Sequence, residues 1–288
     1  MPVITTNTSA NSALRYLNIN AAEQTNSLNR IASGSRINKA SDDASGLAVA
    51  TKLQTDVSVL NQAATNASHG ISILQTADGG LSQISDILQR MKTLTAQAIS
   101  GAVGNTERGY IQAEFGKLQT QIDSIVGSTK FNSAVLLDGT YGDATHAATF
   151  QVGTSGDTVA NGGNLIEVTI GGGAGNGFGS ADLKVDDPTI AVDDLAKAQA
   201  ATTAIDLAIS KVAEGRADIG AQMSQFQFQA AQIASSTENL DAAQSAIIDA
   251  DVAKEQSNFS SAQVKTNAAI AALSQANQMP QQLLQLLR

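Results

Sequence analysis

From Leu195 to Ile247 the chain holds one heptad register without a break: Leu195, Ala198, Thr202, Ile205, Ile209, Val212, Arg216, Ile219, Met223, Phe226, Ala230, Ile233, Thr237, Leu240, Gln244 and Ile247. Twelve of these sixteen positions are apolar, and a stripe recurring every three or four residues is the signature of an α-helix with one face buried. A continuous helix over that span is roughly 80 Å long, more than twice the width of a small globular domain. It cannot curl into a compact ball and needs partners along its length.

The first half of the chain offers them. Ala50, Leu53, Val57, Leu60, Ala64, Ala67, Ile71 and Leu74 repeat in the same three-four rhythm. Asp78, Gly79 and Gly80 interrupt it, and it resumes through Leu81, Ile84, Leu88, Met91, Leu94 and Ala98. A further helix follows "GAVGNTERG", with Ile111, Phe115, Leu118, Ile122 and Ile125 on one stripe. Aromatic residues are only 3% of the chain and Trp is absent, so these helices pack mostly through Ala, Ser, Thr and aliphatic side chains.

Residues 131 to 190 have another texture. They hold half of the 24 glycines, "ATFQVG" and "NLIEVTI" read as short strands, and "NGG" and "GNG" as turns. The expected fold is mainly α: a long antiparallel helical rod built from N- and C-terminal segments, with a small β-hairpin-rich insertion.

The two ends form a third region. Leu14, Leu17, Ala21, Gln24, Leu28 and Ile31 make one stripe, and Phe259, Ala262, Thr266, Ala269, Leu273 and Ala276 a softer one. Each is marginal alone, and together they can pair as an antiparallel coiled coil. Pro280 suits the first turn of a final short helix carrying Leu283, Leu284 and Leu287. This is more apolar stripe than one pairing hides.

Chemistry is sparse. Cysteine is absent, which removes disulfides, a thiol nucleophile and the best ligand for the usual metal constellations. His69 lies off the core stripe and His146 in the Gly-rich segment, and the H-E-x-x-H pattern is missing. "IGGGAGNGFGS" lacks the spacing of a phosphate cradle and of a calcium-binding repeat. Asp193 and Asp194 precede the long helix as N-cap and first-turn charge. No enzyme, cofactor or metal site is expected. A net charge of -9 argues against nucleic acid as a partner. The acidity is central: before Asp42 the only acidic residue is Glu23, and none follows Glu255. The uncharged tail carries too many amides to span a bilayer, and no cleavable secretory signal is visible at the start.

"SGSRINKASDDASGLAVATKL" at 33–53 and the opening "MPVITTNTSANSALRYLN" resemble the N-terminal segment of bacterial flagellins. The stretch from "STENLDAAQSAIIDADVAKEQ" at Ser236 to "ANQMPQQLLQLLR" is similar to the flagellin C-terminus. The resemblance implies a structural subunit that self-assembles head-to-tail into the extracellular helical filament used for swimming. Residues 1 to 40 with 256 to 288 form its inner coiled coil, 41 to 130 with 190 to 255 a helical rod, and 131 to 189 a reduced outer region.

On that reading the contacts between copies involve Leu14, Leu17, Leu28, Ile31, Arg36, Phe259, Ile270, Leu273, Leu283, Leu284 and Leu287, and the termini fold on assembly. The partners implied are other flagellin subunits, a flagellar export apparatus of the type III kind with its chaperone, and the filament cap and hook-filament junction proteins. "LQRMKTLTAQA" is similar to the flagellin stretch bound by Toll-like receptor 5, with Gln89, Arg90 and Leu94 at its hallmark positions and Glu114 on the adjoining helix. Met91, Lys92 and Thr93 depart from the commonest version. Leu94 also lies on the core stripe, whereas Arg90 falls off it and its charge is expected to be free. The competing readings are a hook-filament junction protein, which shares the two-ended helical pattern, and a surface adhesin or glycan-binding homologue using the outward 131 to 190 region.

Overall fold

In the computed structural model the described residues are 7–141, 147–154, 164–171, 177–187 and 190–286, with side chains described up to residue 279. Among the described residues there are five α-helices: α1 Thr8–Ser33, α2 Ala44–Ile99, α3 Asn105–Ser128, α4 Leu195–Ile248 and α5 Val252–Leu286. Between α3 and α4 lie two antiparallel hairpins, β1 Lys130–Phe131 with β2 Ala134–Val135 and β3 Ala148–Gln151 with β4 Leu165–Val168. The fold is mainly helical, as the heptads require, and "ATFQVG" and "NLIEVTI" supply β3 and β4. The expected "NGG" turn, residues 175 and 176 of "GNG", and His146 lie outside the described residues.

The chain divides into two compact units, residues 1–57 with 238–288 and residues 58–237. In the second unit α2 and α4 run antiparallel. Phe226 sits against Gly70, Arg216 pairs with Asp78, and Lys92 pairs with Asp206, so numbers rise along one helix as they fall along the other. The core of this unit is built from fully buried Leu74, Leu81, Ile84, Leu88, Met91, Leu94, Phe115, Ile122, Phe178 and Phe226.

Asp78, Gly79 and Gly80 do not interrupt α2. The buried line runs Leu60, Ala63, Ala67, Gly70, Leu74, Ala77, Leu81, so Ala63 and Gly70 stand one residue before the Ala64 and Ile71 that apolar size suggested. Ala64 and Ile71 are only partly buried. In α4 the same shift puts Ala201, Ala208 and Gly215 on the core line where Thr202, Ile209 and Arg216 were expected. The reason is close approach. A Cβ on Gly70 would lie 2.6 Å from the ring of Phe226, and one on Gly215 2.5 Å from that of Phe178. One on Gly80 would meet Thr129 and Leu137 at 2.7 and 2.8 Å. These glycines are seats for larger partners.

The hairpins are tied to the helices by amide side chains. Asn66 Nδ2 donates to the Gln151 carbonyl at 3.0 Å and Gln229 Nε2 to that of Val152 at 3.2 Å. Gln222 accepts from the Thr169 N–H and donates back to its carbonyl. Phe150 of β3 meets Phe226 edge to face, with centroids 5.8 Å apart. The two-residue strands β1 and β2 were not anticipated. Their turn places Asn132 and Ser133 at positive φ, a conformation that their short polar side chains do not advertise as strongly as glycine would.

In the first unit α1 and α5 pack antiparallel. Asn7 caps α1 by accepting from Ala10 N, and its Nδ2 donates to the Ala276 carbonyl at 2.7 Å. Gly34, left-handed at φ 70°, ends α1. Immediately after it Ser35 bridges Asp249, Arg36 N donates to Ile248 O, and Ala250 N donates to Gly34 O. The α1–α2 and α4–α5 breaks are thus stitched to each other. Asp42 accepts from the backbone N–H groups of Lys39 and Asn38, which hold its carboxyl below the usual range. At the other end, α5 runs through Pro280 to Leu286 as one helix, so the separate final helix expected to start at Pro280 does not form.

Candidate functional site

The stripe by which α5 meets α1 is the one read from the sequence, Phe259, Ala262, Thr266, Ala269, Leu273 and Ala276, and the structure extends it one step toward the N-terminus to Glu255. That of α1 is different. Ala10, Ala13, Leu17, Asn20, Gln24, Ser27 and Ile31 turn inward, an alternation of three and four that passes through polar and small residues. Leu14 and Leu28, expected on the buried stripe, are 46% and 51% exposed. A heptad search weighted by apolar size picks the neighbouring line, because the larger residues of α1 lie beside the contact instead of within it.

The expected assembly residues therefore fall into four groups. Leu17, Ile31, Phe259 and Leu273 are half-buried within the α1–α5 pair. Leu14, Leu28 and Ile270 are exposed apolar side chains. Arg36 is exposed and spans the stitched breaks, its Nη2 donating to the Ile247 carbonyl at 2.9 Å. Leu283 and Leu284 lie in the last turns of α5 with their side chains outside the description, and Leu287 lies outside the described residues. Reading single stripes missed Tyr16 and Ile19 on α1 and Val252, Val264 and Met279 on α5, all exposed. The available signal was a second apolar line on a helix that needs only one to pair.

Charges at this pair are few. Arg30 Nη1 lies 3.4 Å from Glu255 Oε1, and Glu255 is 9% exposed. Its other oxygen, Oε2, is buried without a hydrogen-bond partner. Beside it opens a polar groove of about 330 Å³ lined by Glu23, Asn26, Ser27, Arg30, Glu255, Asn258, Ser261 and Lys265.

The second group of expected site residues belongs to the other unit. Leu94 is 1% exposed and is a core residue, while Gln89 is exposed. Arg90 is not the free charge expected of it. Its Nε and Nη2 donate to Glu114 Oε1 at 2.8 and 2.6 Å, with both side chains about half exposed. The reason is register: α3 returns alongside α2, which brings its Glu114 beside Arg90, and Arg108 Nε likewise reaches back to the Ala98 carbonyl. Gln89, Arg90 and Glu114 are thus surface groups over a buried Leu94.

Asp194 occupies the position before α4, its carbonyl accepting from Ala198 N, and Asp193 pairs with Lys197 one turn on. His69 is exposed. Among the described residues no group of three or more His, Cys, Asp or Glu side chains could hold a metal ion, and no helix is long and apolar enough to cross a membrane.

Comparison with known proteins accounts for this arrangement. Residues 4–142 match the bacterial flagellin N-terminal helical region and residues 202–287 the bacterial flagellin C-terminal helical region. The chain is 36% identical over 289 residues to a flagellin of Halalkalibacterium halodurans, covering 99% of this chain and 100% of that one. It is 37% identical over 287 residues to the flagellar filament 33 kDa core protein of Treponema phagedenis, covering 99% and 100%. A solved structure of a putative flagellar hook-associated protein from Vibrio parahaemolyticus superposes with a TM-score of 0.56 over 72% of this chain and 99% of that one. At 14% identity that likeness shows a shared fold alone and lends no weight to a hook-filament junction role. The two end segments, the full-length relatives and the helical architecture agree: the chain belongs to the bacterial flagellin family.

Proposed function

We propose that this flagellin, a structural flagellar filament subunit and not an enzyme, polymerises head-to-tail through α1 and α5, which become fully ordered only when a subunit joins the growing end. The observation that carries this reading is the set of exposed apolar side chains on those two helices: Leu14, Tyr16, Ile19 and Leu28 on α1, and Val252, Val264, Ile270 and Met279 on α5. Within the pair itself burial is thin, with Ser27, Ala262, Ala269 and Ala276 among the residues shielded. A heterologous contact that does not close into a ring extends indefinitely, which is how one such surface makes a filament. Ordering the ends at the moment of binding costs conformational entropy, and burial of the exposed side chains offsets it.

Residues 1–40 with 256–288 would form the inner layer of the polymer, 41–130 with 190–255 the next, and 131–189 the outward face. The filament is then extracellular, and the subunit reaches it through a type III export apparatus with a chaperone. It meets hook-filament junction proteins at the base and a cap at the tip. Seeded elongation followed by electron microscopy tests the core of this. Wild-type protein should lengthen filament fragments, and Leu14→Ser with Ile270→Ser should not while remaining helical. Elongation by that variant at the wild-type rate would overturn the assignment of these helices.

Recognition by Toll-like receptor 5 through Gln89, Arg90, Leu94 and Glu114 is the second reading. The exposed Arg90–Glu114 pair supports it, since it offers a directional charged contact above a rigid core residue. Arg90→Ala should weaken activation in a reporter assay by purified monomer, and an unchanged response would exclude the pair from the contact.

A further inference from the structure

We propose that the polar groove between α1 and α5 receives Arg15 from a second copy of this chain, its guanidinium donating to the unpartnered oxygen of Glu255; the inference rests on self-assembly through these helices. Glu255 is a carboxylate at a heptad position, nine-tenths buried, with Oε1 held by Arg30 and Oε2 closed off from water without a donor. Burying a charged acceptor without satisfying it is costly, and a donor arriving from outside the pair removes that cost. The groove opens beside this residue because the side chains around it, Asn26, Ser27, Asn258 and Ser261, are short and polar. Glu23 and Lys265 lie at its edge exposed to water, so the buried oxygen of Glu255 is the acceptor that solvent does not complete.

Arg15 needs such an acceptor. Among the described arginines of this unit, Arg30 engages Glu255 and Arg36 engages the Ile247 carbonyl, whereas Arg15 engages nothing. It lies on the side of α1 opposite the α5-facing stripe, one turn from Ile19 and beside Leu14 and Tyr16, all exposed. Any copy that covers those apolar side chains also takes Arg15 out of water, where an unpaired guanidinium is unfavourable. The same chain cannot supply the contact, since Arg15 precedes Arg30 by 15 residues, roughly 22 Å along a straight helix. The deficits of the two surfaces match: one lacks a donor and the other an acceptor. The result is an Arg30–Glu255–Arg15 array with one arginine contributed by the neighbour.

The test is a double-mutant cycle on the critical concentration for seeded elongation, using the full chain. Arg15→Met and Glu255→Gln should each raise it roughly tenfold, and the double variant should be no worse than the worse single one. Circular dichroism of each monomer shows whether helicity is kept. Should Glu255→Gln lose it, Arg15→Glu replaces that arm and should be more damaging than Arg15→Met, because it sets a carboxylate against Glu255. Effects that multiply to about a hundredfold, or equal damage from Arg15→Met and Arg15→Glu, overturn the contact while leaving assembly through these helices intact. Wild-type protein that adds no length to seeds overturns both.

Discussion

The unit of residues 58–237 and the α1–α5 pair use the same three-four repeat and reach opposite results. In the former, Leu, Ile, Met and Phe side chains are fully buried, and glycines at 70, 80 and 215 let the elements approach until rings and methyl groups fill the space. In the latter the inward line of α1 runs through Ala10, Ala13, Asn20, Gln24 and Ser27, while Leu14, Tyr16, Ile19 and Leu28 lie outside it and are exposed. A heptad therefore specifies a helix and a face without saying whose core the face completes. The first region closes a core of large side chains within one chain while Tyr110, Leu207 and Phe228 stay exposed on its surface, and on the proposed assembly the second leaves its core to other copies.

The sharpest way to break this contrast is to damage the self-sufficient side. Phe226 is fully buried and fills the seat left by Gly70. Phe226→Ala should destabilise the monomer by about 3–5 kcal/mol, read as a fall in thermal midpoint, and a fall of only a degree or two would mean that this core is not closed. On the other side, Leu28→Ser should change monomer stability by less than about 0.5 kcal/mol, as expected of an exposed position. It should nonetheless slow elongation of filament fragments measured by light scattering. Loss of monomer stability comparable to that of Phe226→Ala would place Leu28 in an intramolecular core.

Smaller effects refine the picture. Arg216 reaches Asp78 at 2.8 Å, and each side chain is more than a third exposed. Replacing Asp78 by Asn should cost about 0.5–1 kcal/mol in chemical denaturation, and the cost should shrink in high salt. The least effect is expected at Asp42. Hydrogen bonds from the Lys39 and Asn38 N–H groups lower its pKa, so its contribution is present above the ordinary carboxylate range, near pH 4, and is lost as pH falls through the lowered value. Asp42→Asn should therefore reduce stability slightly at neutral pH and not at all at the acid end, a trend that matched denaturation curves at the two pH values check.

Much of the fold is legible in the sequence because long heptads report local periodicity. The span of α4 follows from the stripe at 195–247, and α5 faces its partner along the line from Phe259 to Ala276. Where size misleads, the reading slips by one residue: Gly70 and Gly215 carry no hydrophobic signal, yet they lie at the centre of the buried lines because a ring from elsewhere fills their place. The same preference for bulk selects Leu14 and Leu28 for the α1 seam, where Ala13 and Ser27 stand. Arg90 illustrates a different gap. Its position off the core stripe is readable, but its pairing with Glu114 depends on the register between α2 and α3, which no local pattern encodes. Glu255 escapes for a similar reason: the stripe read from the sequence begins at Phe259, and the pairing of Glu255 with Arg30 depends on the register between α1 and α5.

The central claim is that the terminal helices are incomplete in one chain and completed by others, and amide hydrogen exchange on monomer and filament measures it directly. The account predicts rapid exchange along α1 and α5 in the monomer, slow exchange along the buried faces of α2 and α4 between residues 58 and 237, and strong protection of all four in the filament. Protection of α1 and α5 in the monomer equal to that of the 58–237 core, unchanged on assembly, would contradict it.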